Sequence, residues 1–232
     1  PYDNLREYGG HTYDFEALGL QLYRALKSGG VVIWVVADAS IDGSETGTSF
    51  KQALYFKEIG FNIHDTMIYA KNNPMPTSGD RYHQSFEYMF CFSKGKPKTF
   101  NPIKVDSKYD GLANMKNRGV SGELNYVKIE RTESHKVGNI FTYSIGGGIN
   151  TKDKIAYNHP AIFPENLVSD QISTWSNKND LICDPMMGSG TVAKICMLNN
   201  RRFIGADINP EYVNLCKTRI EENRKSCLFE II

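Results

Sequence analysis

The chain has 232 residues, 41% of them hydrophobic, and a formal net charge of +1 at pH 7. A chain of this size can bury a core of its own, so its stability requires neither a disulfide framework nor a structural metal. Its five cysteines include no C-x-x-C pair, and no apolar run approaches the ~18 residues of a membrane span, which predicts a cytoplasmic protein with reduced thiols and no membrane partner.

The first 93 residues alternate helical and strand patterns. Apolar residues at helical spacing predict a helix at residues 15–26, ended by Ser-Gly-Gly, and the apolar run at residues 31–37 predicts a buried strand. A second helix is predicted at residues 50–59, followed by strands at residues 61–69 and 85–93. Because no helix separates these two strands, we expect an antiparallel hairpin at one edge of the sheet.

Residues 94–154 have a different character from the rest of the chain. They contain twelve Lys and Arg but only six Asp and Glu, so this segment carries +6 and the remainder carries −5. The segment is rich in Gly, Asn and Ser and has no sustained periodicity, which predicts a loop-rich basic insert. The near-zero net charge therefore conceals a strongly cationic region.

After the insert the alternation resumes. Helices are predicted at residues 162–175, 191–199 and 210–224, with strands at 181–183 and 203–207. Alternation of this kind predicts an α/β fold in which helices cover a mostly parallel sheet.

The segment from residue 181 to residue 191 predicts a cofactor-binding loop. A strand ends in Asp184, Gly188 and Gly190 form a turn, and a helix begins near Thr191, so backbone N–H groups face the carboxyl end of the strand. Asp207 follows 23 residues after Asp184, a spacing at which a carboxylate can accept hydrogen bonds from ribose hydroxyls. The alternative is that the glycines make an ordinary turn and Asp207 caps a helix.

The same glycines also fit the G-x-G-x-x-A pattern of a nicotinamide dehydrogenase. A dinucleotide fold needs several βα units after that pattern, and here only one strand and one helix follow. An NAD-dependent oxidoreductase is therefore the weaker alternative.

Three motifs together resemble a known family. The sequence Asp184-Pro-Met-Met-Gly-Ser-Gly-Thr191, the segment at residues 203–212, and His159-Pro-Ala-Ile-Phe-Pro164 resemble the cofactor motifs of the amino-methylating DNA methyltransferases. Their order is similar to that of the circularly permuted beta class. The resemblance implies a Rossmann-like fold that binds S-adenosylmethionine through His159, Pro160, Phe163, Pro164, Asp184, Pro185, Met186, Gly188, Ser189, Gly190, Thr191, Asp207 and Asn209.

The resemblance also implies an activity and a division of the chain. Residues 1–93 would form the catalytic half, residues 94–154 the target-recognition insert, and residues 155–232 the cofactor-binding half. Pro1 and Tyr2 are similar to the last two positions of the family's acceptor motif, with Tyr2 stacking on a flipped-out base, so we expect further residues, including the first strand, to precede Pro1. The reaction implied is methyl transfer to cytosine N4 or adenine N6 in DNA.

Other features bear on chemistry and partners. No cysteine follows a proline, which argues against the cysteine nucleophile of cytosine-C5 methylation, and the histidines lack metal-ligand spacing. Double-stranded DNA is the expected partner, a non-catalytic DNA-binding relative is the alternative, and a homodimer and a companion restriction endonuclease are further candidates. The cations expected to bind nucleic acid are Lys94, Lys96, Lys98 and Arg118.

Overall fold

The computed structural model describes residues 14–77, 79–107 and 111–229. The chain divides into two compact units, one formed by Pro1–Asn101 with Asn139–Ile232 and the other by Pro102–Gly138. The smaller unit spans fewer residues than the basic insert predicted at residues 94–154. Its flanks belong to the larger unit, because the Asn101 amide donates to the Thr174 carbonyl at 2.8 Å and the Asn139 carbonyl accepts from the Ile68 amide at 2.8 Å.

The five described α-helices and five of the twelve described strands lie at the predicted segments, whereas the other seven strands were not predicted. The helices are α1 (Phe15–Ala25), α2 (Thr48–Glu58), α3 (Glu165–Trp175), α4 (Thr191–Leu198) and α5 (Pro210–Phe229), with a 3-10 helix at Lys154–Asn158. The strands are β1 (Val31–Val36), β2 (Ser40–Ile41), β3 (Ser44–Glu45), β4 (Asn62–Lys71), β5 (Phe86–Ser93), β6 (Lys104–Asp106), β7 (Gly111–Arg118), β8 (Leu124–Arg131), β9 (Ser134–Lys136), β10 (Ile140–Tyr143), β11 (Leu181–Asp184) and β12 (Arg202–Gly205).

A four-stranded sheet in the order β1-β5-β4-β10 forms the centre of the larger unit. Strand β5 runs antiparallel to both of its neighbours, whereas β10 is parallel to β4, so three of these four strands share one direction. The predicted antiparallel pairing of β4 with β5 is confirmed, but its predicted position at one edge of the sheet is wrong, because β1 pairs with β5 and β10 pairs with β4 on the outer sides. Strands β11 and β12 form a separate parallel pair.

Helices cover both faces of the four-stranded sheet because its strands are apolar on both sides. On β5, Phe90 and Phe92 join an aromatic cluster with Phe56 of α2, and the rings of Phe56 and Phe92 stack at 4.6 Å. Met89 and Cys91 face the opposite cluster, which includes residues of α3 and α4. Strands buried on both faces produce continuous apolar runs, the pattern seen at residues 31–36 and 88–92. None of the described helices is both long and apolar enough to span a membrane.

The smaller unit consists of two antiparallel strand pairs in its described part. Strand β7 pairs with β8 and β6 pairs with β9. The prediction of a loop-rich insert is therefore wrong for this unit. Most of its strand residues are exposed, and the strands are rich in Asn, Lys and Arg, so the composition of the segment resembles that of a surface loop.

Candidate active site

Strands β11 and β12 end side by side at one edge. Asp184 lies opposite Gly205, and the Asp184 carbonyl accepts a 3.0 Å hydrogen bond from the Ala206 amide. Asp184 is the last residue of β11, as predicted, whereas β12 ends at Gly205, two residues before the predicted end at Asp207. Both carboxylates therefore follow the carboxyl ends of parallel strands, where α/β folds bind ligands.

Two glycines shape the loop between β11 and α4. Gly188 and Gly190 have φ of 48° and 77°, in the left-handed region that favours glycine. A Cβ at Gly188 would lie 2.7 Å from Nε2 of His159, and one at Gly190 would collide with Sγ of Cys216. No described side chain caps the N-terminus of α4, where Gly190 is the N-cap residue. The backbone there can approach an anionic or hydroxyl-bearing ligand closely.

Asp207 connects this loop to the next helix. Its Oδ2 accepts from the Gly188 amide at 2.9 Å, and its Oδ1 accepts from the Asn209 amide at 3.0 Å. A carboxylate has about four acceptor positions, so both oxygens can also accept from a ligand. Asn209 has a structural role, because its Oδ1 accepts a 2.9 Å hydrogen bond from the Glu211 amide in the first turn of α5.

Asp184 has an unusual titration behaviour. Burial raises the pKa of its carboxyl group to about 6, and the negative charge of Asp207 adds to that rise. Its Oδ1 accepts a 3.1 Å hydrogen bond from the Met186 amide, which stabilises the ionised form. A carboxyl group in this position favours a cationic ligand, which would restore its charge.

The segment from His159 to Pro164 reaches the same loop. The buried His159 ring lies over Gly188 and meets the Tyr212 ring edge-on at a centroid distance of 4.4 Å. Its Nδ1 lies 2.7 Å from the Ala161 carbonyl oxygen and 3.1 Å from the Ala161 amide nitrogen, which holds the ring in place. The structure therefore brings together the three motifs that lie apart in sequence.

The other residues predicted in this segment and loop are placed differently. Pro160 is exposed, Phe163 packs against the cluster that includes α3 and α4, and Pro164 is the buried N-cap of α3. Met186 packs against the aromatic cluster on the opposite side of the sheet. Pro185 is half-buried in the loop.

Ser189 and Thr191 face the interior of the protein. Arg219 of α5 is fully buried, and its Nη1 donates to the Ser189 carbonyl at 3.0 Å, the Ser189 Oγ at 3.3 Å and the Thr191 Oγ1 at 3.1 Å. Their side chains therefore hold the loop in place through Arg219.

Arg219 belongs to a buried ionic cluster that the sequence did not predict. Its Nε donates to Asp153 Oδ2 and its Nη2 to Glu165 Oε1, both at 2.7 Å. Lys194 of α4 donates to the same two oxygens, at 3.0 and 2.8 Å. Thr151 adds a hydroxyl that accepts from Nη2 at 3.1 Å. We call Thr151, Asp153, Glu165, Lys194 and Arg219 the anchor cluster.

The charges of the anchor cluster balance, with two cations against two carboxylates. Burial acts to raise the pKa of Asp153, but hydrogen bonds from Arg219 and Lys194 outweigh it and hold the pKa below its usual value. The cluster joins α3, α4, α5 and the loop that follows β10. One feature of the sequence could have indicated the anchor cluster: Lys194 interrupts the apolar sequence of α4 on a buried face, where a lysine needs an anionic partner.

The residues predicted to contact the target divide into three groups. Pro1 and Tyr2 lie outside the described residues. Lys94 is half-buried, and its Nζ donates to the carbonyls of Tyr23 and Leu26 at 2.7 and 3.0 Å, so it caps the end of α1. Lys96, Lys98 and Arg118 are exposed.

No group of three or more His, Cys, Asp or Glu in residues 14–77, 79–107 and 111–229 could hold a metal ion.

Comparison with known proteins identifies relatives of this chain in sequence and in fold. A family model described as DNA methylase matches residues 3–218. The orphan methyltransferase M.BamHII of Bacillus amyloliquefaciens is 48% identical over 95% of this chain and 86% of its own length. The type II methyltransferase M.XycI of Xanthomonas campestris pv. cyanopsidis is 27% identical over 75% of this chain, which spans half of that relative.

Solved structures show the same fold. The M1.HpyAVI complex with S-adenosylmethionine has a TM-score of 0.59 and 24% identity, covering 88% of this chain and 81% of that chain. The cytosine-N4-specific PvuII DNA methyltransferase has a TM-score of 0.62 and 17% identity, covering 94% and 75%. The fold and the family model define a Rossmann-like methyltransferase of the class that uses S-adenosylmethionine. The chain belongs to the N6/N4 DNA methylase family.

Proposed function

We propose that this protein is a site-specific DNA methyltransferase that acts on the exocyclic amino group of a flipped-out base, with cytosine N4 as its target and adenine N6 as the alternative. The observation that carries the proposal is the convergence of Asp184, Asp207, Gly188 and His159 at one edge of the β11–β12 pair. Family membership supplies the reaction class.

The residues at this edge fit S-adenosylmethionine. Asp207 offers acceptors to the ribose hydroxyls while its Oδ2 holds the Gly188 amide. Asp184 offers a carboxyl group with a raised pKa to the cationic part of the molecule. Gly188 and Gly190 let His159 and Cys216 pack directly against the loop backbone, because a Cβ at either position would collide with those side chains. When bound, the cofactor supplies a methyl group already activated by its sulfonium.

The protein's contribution is then alignment. An exocyclic amine on a base is a weak nucleophile, so the enzyme must hold the nitrogen in line with the methyl carbon, which can lower the barrier by roughly 7–11 kcal/mol. His159 packs between Gly188 and Tyr212 on the loop side of the site. Pro1 and Tyr2 are assigned to the acceptor motif, with Tyr2 stacking on a base that has left the helix.

The exposed cations are proposed to bind duplex DNA, the substrate of the enzyme. Lys96, Lys98 and Arg118 are solvent-accessible and suited to phosphate contacts, which make affinity fall steeply with salt. Lys94 is omitted from this set because its ammonium group caps α1. A companion endonuclease is not required, and the name of the 48%-identical relative describes an orphan enzyme.

The proposal is tested by incubating the protein with DNA and S-adenosylmethionine that carries a labelled methyl group. We expect the label in DNA with wild-type protein and at least a tenfold loss of transfer with Asp207→Ala at limiting cofactor concentration. Glu222→Ala, an exposed carboxylate on α5, is the control and should transfer at the wild-type rate. Absence of label from DNA incubated with folded wild-type protein would contradict the proposal.

A further inference from the structure

The hairpin of the smaller unit has two chemically different faces. Strands β7 and β8 are each eight residues long and pair antiparallel from Gly111 opposite Arg131 to Arg118 opposite Leu124. Directly opposed residues lie on the same face of such a pair, and successive residues alternate between faces. The register therefore assigns every side chain of the hairpin to one of two surfaces.

One surface, which we call the basic face, carries four of the five charged residues of these two strands. It consists of the cross-strand pairs Leu112–Glu130, Asn114–Lys128, Lys116–Tyr126 and Arg118–Leu124. The opposite face contains the pairs Gly111–Arg131, Ala113–Ile129, Met115–Val127 and Asn117–Asn125. Three cations stand against one carboxylate on the basic face, whereas the register places a single cation, Arg131, on the opposite face, beside mainly apolar residues.

The basic face is open to solvent. Lys116, Arg118 and Lys128 are exposed, and the Tyr126 side chain is 65% exposed. Nζ of Lys116 lies 5.7 Å from the centroid of the Tyr126 ring, a cation–π distance that orients both side chains outwards from the strands. An exposed aromatic ring between cations suits a partner that offers both phosphates and flat base edges.

The dimensions of the hairpin match a groove of duplex DNA. Two paired strands lie about 4.8 Å apart, and the major groove, about 12 Å wide, admits a two-stranded ribbon. Side chains on one face of a strand recur about every 6.8 Å, close to twice the ~3.4 Å rise of a base pair. Successive residues such as Asn114, Lys116 and Arg118 would therefore meet positions about two base pairs apart.

Resting on the proposed function, we propose that the basic face of the β7–β8 hairpin enters the major groove of duplex DNA and reads the methylation site. Lys116 and Lys128 contact phosphates. Arg118 and Asn114 contact base edges, because guanidinium and amide groups can form paired hydrogen bonds with guanine and adenine. The sequence specificity of the enzyme then depends on one face of one hairpin.

The first test measures binding of the full chain to a fluorescent 30-base-pair duplex of random sequence. We expect Lys116→Ala with Lys128→Ala to weaken binding at least tenfold and to reduce the slope of log affinity against log salt by about 2. The matched control is Lys104→Ala with Lys136→Ala, which removes an equal charge from directly opposed positions of the same unit. This control should change affinity less than threefold, and Lys116→Arg with Lys128→Arg should retain it.

Equal losses in the two alanine pairs would overturn the inference, because a general charge effect would then explain both. Equal affinity for the duplex and for a single strand of the same length would also overturn it. Neither result depends on methyl transfer, so both are distinct from failure of the proposed function, which is an inactive wild-type protein.

The second test maps the methylated sites in a DNA library after treatment with each variant. Arg118→Ala should reduce discrimination at one base pair by roughly 10- to 100-fold while S-adenosylmethionine affinity stays unchanged. Asn117→Ala, the adjacent residue on the opposite face, should leave the site preference unchanged. An unaltered preference in Arg118→Ala, or an equal change in Asn117→Ala, would refute the reading role of the basic face.

Discussion

Nη1 of Arg219 donates a 3.0 Å hydrogen bond to the carbonyl oxygen of Ser189, and through it a fully buried side chain of α5 fixes the loop that follows β11. The same guanidinium reaches Asp153 and Glu165. The conformation of the candidate cofactor loop and the packing of three helices thus depend on one residue.

Replacing Arg219 by methionine should destabilise the fold and weaken cofactor binding together. Of the two cations that contact Asp153 and Glu165 in the anchor cluster, Lys194 alone would then remain, and leaving a buried charge uncompensated costs about 3–5 kcal/mol. Urea unfolding measures the change in free energy. Arg224→Met, an exposed position on the same helix, should stay within about 0.5 kcal/mol of wild type. Similar values for the two variants would refute the anchoring role.

Gly188→Ala should reduce S-adenosylmethionine affinity at least tenfold. Its φ of 48° disfavours any residue with a Cβ, and the new methyl group would lie 2.7 Å from Nε2 of His159. Isothermal titration calorimetry measures the affinity. Gly147→Ala is the control, because a Cβ there meets no atom within 4 Å. Wild-type affinity in Gly188→Ala would show that the close approach of His159 to Gly188 does not shape the site.

Cofactor binding should release protons near pH 6 because of Asp184. Its pKa of about 6 in the free protein lies above the ordinary value, so the folded state favours the protonated form, and a bound cation would favour the ionised form. Affinity should therefore rise from pH 5 to pH 7. Calorimetry at pH 6 in two buffers of different ionisation enthalpy should give about half a proton released. Asp184→Asn should abolish this release, and an unchanged value would contradict the assignment.

Asp184 should also affect the stability of the free protein. The pKa of Asp184 is higher in the folded protein than in the unfolded chain, so the folded state favours the protonated carboxyl group. The resulting stability is fully present below pH 4 and is lost as the pH rises through 6, where Asp184 must ionise in the folded protein. Asp184→Asn should therefore be more stable than wild type at pH 7, by on the order of 2 kcal/mol, with the difference vanishing near pH 4. Urea unfolding at the two pH values measures this. A less stable variant at pH 7 would contradict it.

The alternation of helices and strands was predictable because each element buries an apolar face, and the spacing of apolar residues along the sequence differs between a helix and a strand. Residues 31–36 form the predicted strand, and Asp184, Gly188 and Gly190 form the predicted turn, since a positive φ and a strand end have local signatures. His159 was identified from a resemblance, and only the structure shows that its ring lies over Gly188.

Long-range partners could not be predicted. The anchor cluster joins residues from 151 to 219, and the periodicity of hydrophobic residues within a helix or strand carries no information about contacts between residues so far apart in sequence. Lys94 has the sequence appearance of a surface cation, yet its ammonium group caps α1 because β5 ends beside that helix. The hairpin at residues 111–131 was missed because most of its strand residues are exposed.

Methyl transfer to an exocyclic amine is tested most directly by digesting DNA to nucleosides after treatment with the full-length protein and S-adenosylmethionine carrying a deuterated methyl group, followed by mass spectrometry. We expect N4-methyldeoxycytidine bearing the deuterium label, or N6-methyldeoxyadenosine if adenine is the target. Label in 5-methyldeoxycytidine, or in no nucleoside at all, would contradict it.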